Sequence, residues 1–143
     1  ETGSKVRTII SFAVGITLLI VAGFGIYNIL NMLIYEKMDS IAILKAIGFS
    51  GKDVRRIFIY LSLMIGIAGG LLGLLVGFSL SLIIDAIPFK IEALPTITTY
   101  PVYYNIWYYI IGISFALLTS FIAGLLPALK ASKIDPVEII RGK

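Results

Sequence analysis

Cysteine and histidine are both absent from this chain of 143 residues, and charged side chains make up only 14% of it. The missing cysteines exclude a disulfide framework and a thiol nucleophile, and with histidine also absent there is no Cys/His zinc site and no imidazole relay. The charge deficit excludes an ordinary soluble surface, which carries about a quarter charged residues. What fills the space is apolar: 59% of the chain is hydrophobic. The net charge of +4 does not mark a nucleic-acid binder, because the charges are confined to a few short stretches.

Between those stretches lie three long uncharged runs, Thr8 to Tyr35, Ile57 to Ile84 and Ala93 to Leu129. A bilayer core needs about 20 apolar residues in a helix. The first two runs exceed that, and the third holds an apolar core from Ile106 to Leu126. Backbone amides in lipid must be satisfied within the segment, so three transmembrane helices are expected. A soluble bundle would show a polar face on each helix, and these runs show none. The first run is too long for a cleavable signal peptide and is followed by two more spans. The chain lacks an initiator Met, and a fragment of a longer polypeptide is expected.

Charge sets the expected orientation. Lys37, Lys45, Lys52, Arg55 and Arg56 lie between the first and second spans, and Lys130, Lys133, Arg141 and Lys143 in the tail. The loop between the second and third spans has only Lys90 against Asp85 and Glu92. The positive-inside rule then puts the first loop and the tail in the cytoplasm and the N-terminus outside. Lys5 and Arg7 conflict with the rule unless they stand on a stalk leading to an outer domain. In the outer loop Pro88, Pro95 and Pro101 prevent a continuous helix. Tyr100, Tyr103, Tyr104, Trp107, Tyr108 and Tyr109 read as an interfacial aromatic belt, with a ligand cage as the sharper alternative. Pro127 is expected to close the third span.

Two short elements have their own design. The stretch Tyr35 to Gly48 is helix-compatible, and Gly48 is a natural stop. At about 100° per residue, Met38, Ile41, Ala42 and Ala46 gather on one side and Ile43, Leu44 and Ile47 on another. Two apolar faces imply a second hydrophobic partner, unless both pack inside the chain's own bundle. Ser50-Gly-Lys-Asp53 then has the capping-box pattern. In the tail, Asp135-Pro136-Val137-Glu138 supplies an N-cap, a proline at the first helical position and an acid at the third, for a helix reaching about Arg141.

The second span carries Gly66, Gly69, Gly70, Gly73 and Gly77, several of them four apart, a spacing that lets helices approach closely. On that ground Gly70→Leu and Gly73→Leu are both expected to disrupt assembly, and Gly112→Leu to be milder. No phosphate-binding loop is present, and no pair of intramembrane carboxylates suggests a proton relay. No catalytic residue and no metal site is expected.

The run from Asn31 to Ser50, NMLIYEKMDSIAILKAIGFS, the glycine-rich segment after it and the ending LPALKASKIDPVEIIR resemble the FtsX-like ABC transporter permease family, which includes MacB and LolC/LolE permeases. The resemblance implies that residues 1–143 form an FtsX-like membrane domain, carrying helices two to four of the family's four, with the first helix and an extracytoplasmic domain lying elsewhere. It implies an all-α inner-membrane protein of a bacterium: three transmembrane helices, a cytoplasmic coupling helix and a short C-terminal cytoplasmic helix.

The coupling helix maps onto Glu36 to Gly48, with Glu36, Lys37, Ile41, Ala42, Leu44, Lys45, Ala46, Ile47 and Gly48 as its contacts. Asp135, Pro136, Glu138 and Arg141 form the second contact. The implied partners are a cytoplasmic ABC ATPase holding ATP and Mg, on a separate subunit or a fused domain, a second permease protomer, membrane lipid and a periplasmic adaptor. The implied activity is non-catalytic mechanotransmission, serving lipoprotein release or macrolide or peptide export. The alternative is a signalling or scaffold subunit of FtsX type that regulates a wall enzyme without moving cargo.

Overall fold

A computed structural model describes residues 2–87 and 102–142 of the chain. Among the described residues five helices follow one another: α1 (Thr2–Glu36), α2 (Met38–Ala46), α3 (Gly51–Ala86), α4 (Ile106–Ser132) and α5 (Pro136–Ile140). Helices α1, α3 and α4 are each long and apolar enough to cross a membrane. At 1.5 Å per residue, the 27 residues of α4 reach about 40 Å, beyond the ~30 Å hydrocarbon core. The all-α membrane architecture expected from the uncharged runs is the one observed. Lys90, Glu92, Pro88, Pro95, Tyr100, Pro101 and Lys143 lie outside the described residues.

Local chemistry explains each boundary. Helix α2 leaves α1 through the single residue Lys37 (φ −102°, ψ 13°). It ends in a Schellman arrangement: Gly48 N–H donates to Lys45 O at 3.2 Å and Phe49 N–H to Leu44 O at 3.1 Å. Gly48 has φ +112°, a conformation that a side chain strongly disfavours. The capping box of α3 is complete, with Ser50 and Asp53 bonded reciprocally. Asn105 caps α4, its Oδ1 accepting from Trp107 N–H at 3.0 Å. Asp135 Oδ1 accepts from Val137 N–H at 2.9 Å, and Pro136 opens α5.

Within the spans, hydroxyls turn back on their own helices. Thr17 donates to Ala13 O, Ser79 to Leu75 O and Ser114 to Ile110 O. Lipid offers no other partner.

One expectation is corrected. Pro127 does not close α4; the helix runs through it to Ser132. The ring lacks an amide to bond the carbonyl four residues back. Its cost is offset by packing: Pro127 is buried beside Ala128 and Ala131, which have no exposed surface.

Helix α4 packs along α3 and less extensively along α1, while α2 packs against α5. The buried apolar core lies toward the α2–α5 end, built from Leu30, Ile34, Ile41, Val54, Phe58, Ala128 and Ala131. Toward the other end the helices present apolar side chains outward, as lipid-facing surface requires. Of the aromatic residues read as a belt, Tyr103, Tyr104, Trp107 and Tyr108 are exposed. Tyr104 and the half-buried Tyr109 also meet Phe78 of α3 edge-on, with ring centroids 6.2 and 6.3 Å apart.

Candidate functional site

The site is the end where α2, the start of α3, the end of α4 and α5 converge. Helix α2 buries Ile41 and Ala42 and half-buries Met38, Leu44 and Lys45. Its opposite side leaves Ile43 at 57% exposure, Ile47 at 73% and, just beyond the helix, Phe49 at 45%. Two apolar faces are therefore present, with a change of membership: Ala46 is exposed and Leu44 half-buried. The inward side of α2 is the one that carries Ile41 and Ala42. Glu36, Lys37 and Gly48 are exposed.

Lys45, grouped on sequence with residues offered outward, is directed inward instead. Its Nζ donates to Ser132 O at 2.9 Å and to Ile134 O at 2.6 Å. These carbonyls stand where α4 ends and helical donors run out, and a cation there also complements the helix dipole. On α5, Asp135 and Pro136 set the helix start, while Glu138 and Arg141 are exposed together with Val137 and Ile140. A cleft lined by Ser50, Gly51, Lys52, Arg55 and Ser132 opens beside this junction.

The five glycines of α3 divide. Gly66 is buried against Ser120 and Ala116, and a Cβ on it would overlap the Ser120 side chain. A Cβ on Gly70 would meet Ile113 Cδ1 at 2.8 Å. Gly69, Gly73 and Gly77 have open space beside them. Gly112 is also loosely surrounded, with Leu74 Cδ2 at 3.8 Å from its Cβ position.

Three further residues complete this packing and did not stand out in the sequence. Gly124 of α4 faces Ser62 of α3, which a Cβ would overlap, mirroring the pair Gly66 and Ser120. Ser62 and Ser120 are 0% and 1% exposed, their hydroxyls donating to Ile59 O and Ala116 O of their own helices at 2.8 Å each. The signal was a second small-residue row, Ala116, Ser120, Gly124 and Ala128, spaced by four along α4.

On its other side α4 meets α1 across an apolar groove of about 620 Å³, lined by residues including Ile16, Ile20, Phe24, Phe115 and Ile122. Near its end Lys130 Nζ stands 6.0 Å from the Tyr27 ring centroid, a cation–π contact joining the two helices.

Three apolar spans, a short helix with two apolar faces and a capped C-terminal helix define a helical membrane-protein segment. The FtsX-like permease C-terminal family matches residues 12–136, and the chain belongs to that family. It is 34% identical to an uncharacterized ABC transporter permease of Methanocaldococcus jannaschii, a match covering 100% of this chain and 36% of the relative. It is 32% identical to the macrolide export ATP-binding/permease protein MacB of Bdellovibrio bacteriovorus, over 86% of this chain and 17% of that protein. It is 34% identical to the lipoprotein-releasing system transmembrane protein LolC of Xylella fastidiosa, over 89% and 34%. The chain thus spans about a third or less of the length of these relatives.

Proposed function

We propose that this chain is the membrane portion of an ABC transporter permease that receives work from a cytoplasmic ATPase through α2 and α5. ATP and Mg bind the ATPase, and the helices pass its motion across the membrane. The observation that carries this reading is the second apolar face of α2. Ile43, Ala46, Ile47 and Phe49 stay exposed, at an end rich in Lys and Arg, where the positive-inside rule places the cytoplasm. A protein groove at that depth is the natural cover for such a face, because surrounding cations keep it out of the hydrocarbon.

The first helix and the outer domain belong to other segments of the polypeptide. The open row Gly69, Gly73 and Gly77 is available to a second protomer, since small residues four apart suit close helix approach. The names of the relatives point to lipoprotein release or macrolide export as the class of work.

The test is association of the complete permease with its ATPase. Ile47→Asp or Ala46→Asp should weaken co-purification by about 2 kcal/mol, roughly 30-fold, as expected for a charge placed at an interface core. Undiminished association of both variants would remove α2 as the docking element. Orientation is read separately, by labelling single cysteines at Lys133 and Tyr103 in intact cells. Labelling of Lys133→Cys from outside would reverse the topology.

A further inference from the structure

Three helices and a linker meet around one backbone carbonyl, that of Ser132. Lys45 reaches it from α2, donating from Nζ to Ser132 O at 2.9 Å and also to Ile134 O at 2.6 Å. Helix α3 reaches it from another side, because its first residue is glycine. A Cβ on Gly51 would stand only 2.6 Å from Ser132 O, so no other residue type lets the first turn of α3 lie this close. Ile134 in turn immediately precedes Asp135, which caps α5.

We infer that Lys45 is a positioning residue that clamps α2, the end of α4 and the start of α5 into one block, so that displacement of α2 is delivered directly to α4. The inference rests on the docking role proposed above for the exposed face of α2, and it assigns Lys45 a different task on the opposite face.

Carbonyls at a helix end have no donors of their own, and here one ammonium satisfies two of them across the break between α4 and α5. A charge-assisted bond in a half-buried setting is stronger than a neutral one. Among the described residues it is also the one polar side-chain hydrogen bond from α2 to the rest of the chain; the side chains that α2 buries, Ile41 and Ala42, are apolar. Without the ammonium, α2 keeps Ile41 and Ala42 in the core but loses its fixed register against α4. A load applied to Ile43 and Ile47 would then rock α2 instead of moving α4.

The experiment uses the complete permease with its ATPase in liposomes, and compares Lys45→Met, Lys45→Arg and Ile47→Asp. Spin labels at the exposed positions Ser40 and Lys133 report the distance from α2 to the end of α4. An environment-sensitive fluorophore at Tyr108 reports the far end of α4 when ATP is added. Lys45→Met should still bind the ATPase, because the exposed face is untouched. Its Ser40–Lys133 distance should broaden on adding ATP, and the response at Tyr108 should fall about fivefold or more, the scale of a typical coupling energy between sites.

Lys45→Arg, which can donate to both carbonyls, should retain a single distance and most of the response. Should Lys45→Met fail to accumulate, Gly51→Ala opens the same junction from α3 with Lys45 intact, and the same broadening and loss are expected. An unchanged distance and full response in an associating Lys45→Met, or in Gly51→Ala where it is substituted, would overturn the clamp. Normal ATPase binding by Ile47→Asp would instead defeat the docking reading, and the two failures are distinct.

Discussion

Helix α4 has a different relation to each of its neighbours. Toward α3 it presents Ala116, Ser120 and Gly124 against Ser62, Gly66 and Gly70, and the backbones close until no Cβ fits at Gly66 or Gly124. Toward α1 it presents Phe115, Leu118, Ile122 and Leu126, and a groove of about 620 Å³ stays open between the helices. Both surfaces are apolar, so hydrophobicity does not distinguish them. In lipid the hydrophobic effect does not drive helices together, and close approach depends on side-chain size and on van der Waals contact. Small residues opposed on both helices make a seam, whereas branched and aromatic ones hold the partner away.

The seam is most sensitive at its tightest points. Gly66→Leu or Gly124→Leu should cost about 3 kcal/mol of stability for the complete permease in detergent, because the added side chain must displace a buried serine. Thermal unfolding indistinguishable from the parent would show that the seam is not closed. A swap sharpens the point. Gly124→Ser alone should be damaging, and Ser62→Gly added to it should recover about 1–2 kcal/mol, the coupling expected of residues in direct contact. Strictly additive losses would mean that the two positions do not oppose each other.

The open side should respond less. A Cβ on Gly23 lies 3.3 Å from Thr119 Cγ2, so Gly23→Ala asks for a shift of a few tenths of an ångström and should cost about 1 kcal/mol. A loss as large as that at Gly66 would reveal an unseen tight contact with α4. The smallest effect belongs to Gly73. Grouped with Gly70 on spacing alone, it has open space beside it, and Gly73→Leu should leave the isolated protomer within about 0.5 kcal/mol of the parent. A larger loss that appears only in the assembled state would locate a second protomer on this row.

Much of this molecule was legible because it is local. Uncharged runs long enough to span lipid located α1, α3 and α4. Gly48, the Ser50–Asp53 box and the Asp135-Pro136 pair marked helix ends with residues whose backbone bonding is settled within a few positions. The junction residues were legible as a group, and their directions were not. Lys45 sits in the same stretch as Ile43 and Ile47, and a helical wheel has no origin until a neighbour supplies one. The neighbour here is the end of α4, and with it Lys45 points inward while Ala46 points out.

Three apolar spans, the two short helices beside them and the chemistry of their caps follow from the residue order alone, since length, composition and turn geometry act within a few residues. Tertiary structure alone decided which glycines oppose a serine, why Pro127 remains inside α4 and which carbonyls Lys45 serves. Those outcomes depend on the rotation and separation of helices remote in the chain, where the van der Waals fit of opposed side chains selects one pairing among several that the same four-residue spacing permits.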